Sequence, residues 1–590
     1  GYSIPELVSS PLANTNSDCQ ESNELSNGQG VDACFDADEY FLIVDVNTLA
    51  LDPTVTTDVM DSNGTVLDTW TVSLSELTNP SVVPVDPSEQ PDFNGDGYAD
   101  LAIGNPDEDI GSLLSAGAAL VLDGSSAMSR SLNNAYWHSD IDDVPGESES
   151  YDFFGSALTY GDFNGDGYSD IAIGGYGEDI SGGGSQSGMV TVIYGSAEGL
   201  DATTGENWYQ DQTGVNGASE SNDYFGYALA SGDFDNDGND DLAVGVPNED
   251  LGSDTDAGMV VVIYGSTSGL DAVGTFNGRP SQGIHQDNIT SGYSAEDDDH
   301  CGRTVAAGDF DGDGYHDLVF GCPEEDLNSN NEDDAGAIIV VYGSNTGLQL
   351  ANVDTFSQNT SGIGGVVEQG DQFGAALAVG DINGDGKDDL AVGIPYEHTG
   401  DITGGDSAAD AGRVSVIFGN AVGLFAGGAD IFHMSDIAGS SGDQGYSYFG
   451  MALTMGDFNG DGYDDVAVGA DNYFSNDEGA VGVLAGSAAG ISTAGSWFVD
   501  PTISPWGLTE DQHFGACLSA LDTNADGLDE LAVCAPDLNT NGIWESGAVV
   551  LLKGTVTGPS FVGSQFWHSD RDEITGANES GDGFGTALAN

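Results

Sequence analysis

The residues best suited to chemistry in this 590-residue chain recur as a nine-residue acidic loop. "DFNGDGYAD" starts at Asp92, and close copies start at Asp162, Asp233, Asp309, Asp381, Asp457 and Asp522. Positions 1, 3, 5 and 9 carry side-chain oxygens in all seven copies. In order they are Asp92, Asn94, Asp96 and Asp100; Asp162, Asn164, Asp166 and Asp170; Asp233, Asp235, Asp237 and Asp241; Asp309, Asp311, Asp313 and Asp317; Asp381, Asn383, Asp385 and Asp389; Asp457, Asn459, Asp461 and Asp465; and Asp522, Asn524, Asp526 and Glu530. Position 7 varies (Tyr98, Tyr168, Asn239, Tyr315, Lys387, Tyr463, Leu528), as expected where the backbone carbonyl is the ligand. Gly at position 6 permits a sharp turn that aims the oxygens inward. Oxygen donors without His or Cys select calcium over zinc or copper, and so many carboxylates this close repel one another without a cation. A solvated turn explains any one copy but not seven in register. The spacing also opens an EF-hand loop, which needs a bidentate Glu at position 12 and flanking helices. Position 12 here is Ile103, Ile173, Val244, Phe320, Val392, Val468 and Val533, so that reading fails in every copy. Glu530, longer than the Asp it replaces, makes the seventh loop the least regular.

The elements that must position these loops repeat with them, in a unit of about 70 residues. Phe-Gly or a substitute precedes each loop from the second onward, at Phe154, Phe225, Cys301, Phe373, Phe449 and Phe514. An apolar run such as "DLAVGVP" follows the loop, then a Gly-initiated apolar strand such as "GMVVVIYG", then an aromatic segment such as "YWHSD". Four short β-segments per unit, bounded by Gly, Pro, Asn and Asp, over seven units predict an all-β, seven-bladed β-propeller of four-stranded blades. The first unit lacks a Phe-Gly strand ahead of Asp92, and the chain ends on one with no loop after it. Phe584 to Asn590 is therefore expected to pair into the first blade, closing the ring and removing two sheet edges.

Composition agrees with a repeat architecture and excludes several partners. Gly is 89 of 590 residues, and 100 Asp and Glu face seven Lys and Arg for a formal net charge of -93. Such a surface cannot neutralise a phosphate backbone or hold to anionic lipid, so no nucleic acid or membrane-surface partner is expected; it attracts cations and basic partners. No apolar run approaches the ~20 residues that span a bilayer, so no transmembrane segment is expected. The start, "GYSIPELVSS", lacks the regions of a signal peptide and reads as a processed form or a fragment. Six cysteines fall into three local pairs. Cys301 and Cys322 flank the fourth loop and Cys517 and Cys534 the seventh, at positions close to opposite in a hairpin; Cys19 and Cys34 form the third pair. Three disulfides place the chain in an oxidising compartment, extracellular as a secreted or cell-surface protein.

The first ninety residues do not repeat. Residues 1–34 read as a polar arm, and 35–90 as a small β segment with a joint at "VVPVDPSEQP"; "FLIVDVNTLAL" and "TVLDTWTVSL" suggest strands around a turn at Ser62 to Gly64. The propeller is expected over 91–590.

With these motifs in phase, the chain resembles the FG-GAP repeat family, the seven-bladed propellers of integrin alpha subunits and of many bacterial secreted proteins. The resemblance covers Pro91 to Asn590 and implies that each loop joins the first two strands of a blade and binds calcium, about seven ions in all. Integrins carry such loops in only some blades. Seven here point to a free-standing, prokaryotic-type propeller in which calcium is mainly structural. Extracellular calcium modules have dissociation constants of order 0.1–1 mM, and a site saturated about 100-fold contributes roughly 2.7 kcal/mol. Several such sites exceed the ~5–15 kcal/mol of an ordinary domain, so calcium should decide whether the ring is folded. No catalytic constellation is present: His138 and His568 sit in the same phase of the repeat, and no nucleophile elbow, Walker loop or HExxH occurs. The expected role is non-enzymatic, a binding or adhesion scaffold for a protein or glycan. The alternatives are a subunit of an extracellular filament or surface layer built from copies of itself, and an accessory module of a polysaccharide-degrading enzyme.

Overall fold

The computed structural model describes three strands between residues 40 and 73, and residues 90–589 apart from short stretches of which 399–408 and 572–579 are the longest. The polar arm and the Cys19–Cys34 pair lie outside the described residues. The chain divides into two compact units, Gly1–Pro84 and Val85–Asn590. In the first, Tyr40–Asn47, Thr54–Asp61 and Val66–Ser73 form an antiparallel meander in sequence order. The turn expected at Ser62 to Gly64 lies outside the described residues.

The second unit is a ring of seven four-stranded antiparallel blades. Blade 2 is representative: Ala157–Gly161, Asp170–Gly175, Met189–Tyr194 and Asp201–Trp208 pair in sequence order. The second and third strands are buried along their whole length, because neighbouring blades cover both faces. That is why they read as unbroken apolar runs rather than as alternating patterns. The helices among the described residues are three-residue 3-10 turns at Gln286–Asn288, Met434–Asp436 and Pro501–Ile503. The first strands of the blades surround a central cavity of about 770 Å³, lined by small and aliphatic residues such as Ala157, Ala228 and Leu377.

The ring closes as the orphan ends require. Ala587–Leu588 is the inner strand of the first blade, with Ala587 opposite Gly104 and Leu588 opposite Ile103. Phe584, 1% exposed, packs in the seam between the last blade and the first.

The repeated glycines are explained at these seams. Phe154, Phe449, Phe514 and Phe584, and Cys301 in the Phe position, form parallel bridges with the Gly that opens the third strand of the preceding blade: Gly117, Gly412, Gly479, Gly547 and Gly258. The Gly of the second strand lies under the carbonyl of the next Phe-Gly. A Cβ at Gly104 would stand 2.0 Å from Gly155 O, and one at Gly174 would stand 2.2 Å from Gly226 O. Only glycine permits that approach.

Two disulfides take the place of consensus residues. Cys301 replaces the buried Phe and bonds Cys322, with Cα atoms 4.0 Å apart. Cys517 and Cys534 bond in blade 7, directly opposite across the ladder that pairs Leu518 with Val533. Cys534 stands at the seam-glycine position. All position-12 residues are fully buried strand residues, so the EF-hand geometry is absent from every loop.

Candidate metal centres

Loops two to seven each join the first and second strands of a blade, and the first loop leads into the second strand of blade 1, whose first strand is Ala587–Leu588, so all seven lie at the same end of the ring. The turn is built as the glycines require. Position 6 has φ between 77° and 89° in every copy, from Gly527 to Gly314. In that turn the position-1 carboxylate folds over the loop: Asp96 N–H and Gly97 N–H donate to Asp92 Oδ1 and Oδ2 at 3.1 and 2.8 Å. The same pair of bonds recurs at Asp162, Asp233, Asp309, Asp381, Asp457 and Asp522.

The ninth position is the buried anchor. Asp100, Asp170, Asp241, Asp317, Asp389, Asp465 and Glu530 are at most 1% exposed. In six blades the carboxylate accepts the N–H of the Gly ending the third strand, for example Gly195 N–H to Asp170 Oδ1 at 2.8 Å. In the first four it also accepts the N–H of the buried Phe at position 2. Burial pushes these carboxyls up, and the other loop carboxylates push them further. Asp100 and Asp241 rise well above the usual range, Asp170 rises to about 9, Asp317 and Glu530 to about 8, and Asp389 and Asp465 to about 7. A buried carboxylate among like charges is unfavourable until a cation joins it.

In the third and fourth loops the carboxylates at positions 1, 3 and 9 converge. Carboxylate oxygens of Asp233, Asp235 and Asp241 lie within 4.8 Å of one another, and so do those of Asp309, Asp311 and Asp317. Asp235 Oδ1 is buried with no hydrogen-bond partner. An all-oxygen set with an orphaned buried oxygen fits a dication of the calcium type.

Position 8, which the sequence reading passed over, ties the loops to one another. Its N–H donates to the position-1 carbonyl of the preceding loop in all seven blades: Ser169 to Asp92, Asp240 to Asp162, His316 to Asp233, Asp388 to Asp309, Asp464 to Asp381, Asp529 to Asp457 and Ala99 to Asp522, at 2.9–3.3 Å. Its side chain often returns a bond. Asp162, Asp309, Asp381 and Asp457 N–H donate to Asp240, Asp388, Asp464 and Asp529 at 2.7–2.8 Å, and Asp92 N–H donates to Ser169 Oγ at 2.9 Å. Ala99 cannot return one, and Gln90 Oε1 accepts from Asp522 N–H instead. The loops therefore form a closed belt. Position 7 adds to it: a Cβ at Gly95 would stand 2.6 Å from the Tyr168 ring, and one at Gly384 would stand 2.7 Å from Tyr463. Asn239, Lys387 and Leu528 lie over the preceding loop in the same way, against Gly165, Gly312 and Gly460.

The pattern of Phe-Gly, acidic loop and seam glycine, repeated around the ring with Cys301 and Cys534 as its two departures, decides the family. This is an FG-GAP repeat propeller. The FG-GAP repeat family model matches residues 91–122, 154–193, 225–263, 302–341, 373–417 and 449–484. Among curated relatives, integrin alpha pat-2 of Caenorhabditis briggsae is 31% identical over 280 residues, 46% of this chain and 20% of that protein. Integrin alpha-PS2 of Drosophila melanogaster is 28% identical over 48% of this chain and 18% of its own length. Phosphatidylinositol-glycan-specific phospholipase D of Mus musculus is 35% identical over 30% of this chain and 19% of its own. The matched part spans about a fifth of each of these relatives.

The opposite end of the FG-GAP propeller carries a feature that the repeat pattern did not disclose. Residues just before the first strands of blades 2 and 3 and just after the second strand of blade 2 form an aromatic cluster. Phe153 stacks on Tyr176 with centroids 5.0 Å apart, and Tyr176 meets Tyr224 and Tyr227 at 5.3 and 5.5 Å. Tyr151, 48% exposed, extends the cluster. Asp107 lies close enough to raise Tyr176 above its ordinary value, after burial and together with Tyr227.

Proposed function

We propose that this chain is an extracellular, calcium-stabilised FG-GAP propeller that serves as a non-enzymatic adhesion or ligand-binding scaffold. The calcium would sit in the acidic loops, held by the side chains at positions 1, 3, 5 and 9 and the carbonyl at position 7. When bound it supplies positive charge to the buried ninth carboxylate; the belt of loop-to-loop bonds then passes the ordering of one loop to the next. The two disulfides suit an oxidising compartment. Among the described residues no helix is long and apolar enough to cross a membrane.

The aromatic cluster carries the binding reading. Stacked and edge-on rings that remain partly exposed, on a chain of net charge -93, form a surface complementary to a protein partner with exposed Arg or Lys side chains. The resemblance to integrin alpha chains supports a protein partner over a glycan. The test is to replace Tyr176 and Tyr224 by Ala together and to compare wild type and variant for binding to immobilised Arg- and Lys-rich peptides and to a glycan array. Loss of peptide binding with an unchanged melting temperature is expected. Undiminished peptide binding, or binding to glycans alone, would refute the assignment of this face.

A further inference from the structure

The seventh loop departs from the others wherever packing and charge are decided. Its second residue is Thr523, where the other six loops carry Phe93, Phe163, Phe234, Phe310, Ile382 and Phe458 as fully packed plugs. Thr523 donates its N–H and hydroxyl to Glu530 Oε2 at 3.1 and 2.7 Å. The third strand ends, just before its final Gly, in Asp123, Tyr194, Tyr264, Tyr342, Phe418 or Ala485 in blades 1 to 6, and in Lys553 in blade 7. Lys553 Nζ lies 2.9 Å from Asp526 Oδ2 and 4.0 Å from Glu530 Oε1, whose side chain is fully buried. It thus reaches the fifth and ninth positions together, two of the four side-chain positions that the calcium reading assigns as ligands.

Two other cationic side chains touch loops, with different consequences. Arg279 pairs with Asp235, but the third loop carries four carboxylates where most carry three, so three remain uncompensated. Lys387 pairs with Asp385, whose side chain is 45% exposed, on the solvent side of the fifth loop. Among the described residues, only Lys553 brings an ammonium to a buried ninth-position carboxylate. A dication in that loop would have to share both carboxylates with a positive charge a few ångström away, which disfavours it. The family model, moreover, matches the first six units and not the seventh.

We infer that the Lys553 ammonium is the resident cation of the seventh loop, so that the ring takes up six divalent cations and its closing blade carries a side-chain cation in place of a seventh. The inference rests on the calcium reading of the other loops, and the experiment separates the two. Bound calcium per folded chain is counted by native mass spectrometry in wild type, Asp461→Asn in the sixth loop and Asp526→Asn in the seventh. Asp461→Asn is expected to lose one ion, and Asp526→Asn to keep the wild-type count. Loss of one ion in both variants overturns the assignment of Lys553 while leaving calcium in the loops. No change in either overturns the calcium reading and this inference with it. If Asp526→Asn does not fold, Lys553→Met takes its place: a gain of one ion supports the inference, and an unchanged count overturns it.

Discussion

Replacing Asp170 by Asn should change stability in opposite directions with and without calcium. Asp170 is fully buried, accepts N–H bonds from Phe163 and Gly195 at 2.9 and 2.8 Å, and has its carboxyl pushed up to about 9 by burial. In an ion-free loop the folded state keeps this proton at neutral pH while the unfolded chain releases it. A raised carboxyl pKa therefore destabilises the ion-free fold progressively as pH rises from the unfolded value near 4 towards 9. At about 1.4 kcal/mol per unit, the cost at pH 7 is roughly 4 kcal/mol. Asn keeps one acceptor oxygen and removes that cost, offset by about 1–3 kcal/mol for the N–H it leaves unsatisfied. In saturating calcium the balance inverts, because the variant loses an ion whose binding contributes roughly 2.7 kcal/mol at 100-fold saturation. Differential scanning calorimetry at pH 7 should find the variant less stable than wild type in calcium, and equal to or more stable than wild type in chelator. With roughly 1–2 °C per kcal/mol for a ring of this size, the two shifts are measurable. An equal loss of melting temperature in both buffers would show that Asp170 acts only as a turn acceptor, and would refute the reasoning.

The seam, the disulfide and the closure give further tests. Gly174→Ala places a Cβ 2.2 Å from Gly226 O; the resulting overpacking should cost about 1–3 kcal/mol or more, read by urea denaturation, with the calcium count unchanged. Opening the Cys517–Cys534 bond by Cys517→Ala with Cys534→Gly restores the Ala and Gly found at these positions in five of the other blades and frees a loop of 17 residues. The expected loss is about 3 kcal/mol, and no loss in a reductant-free melt would contradict a stabilising role. Truncation after Gly583 removes Phe584 and the strand Ala587–Leu588, exposing both edges of the opened ring. Gel filtration should then show aggregation or expansion in place of a compact monomer.

The blades, their order and the ring closure were legible because each is written seven times. A burial pattern repeated in phase tells loop from strand even where any one run is ambiguous, and the orphan Phe584 announced its partner. The oxygen-bearing positions were legible for the same reason. The belt at position 8 was not: Ala99, Ser169 and His316 stand there beside four Asp, and the bond that all seven share is a backbone N–H to the loop of the neighbouring blade. Gln90 standing in for a side chain that Ala99 lacks is likewise visible only in three dimensions. Lys553 could have been found from sequence by comparing the last residue of each third strand, where one cation stands among aromatic, small and acidic residues. The aromatic cluster of Phe153, Tyr176, Tyr224 and Tyr227 lies in segments that vary between units, so repetition offered no signal for it. The Cys301–Cys322 bond lies just beyond the ladder that ends at Thr304 and Gly321.

The most direct test of calcium as the ion that holds this ring is thermal unfolding of the chain in calcium and in chelator, with bound ions counted in the same samples. A large fall in melting temperature on chelation, with six ions per chain in calcium, is the expected result. An unchanged melting curve with no ions bound would contradict it, and would leave the belt of hydrogen bonds and the packed seams as sufficient for the fold.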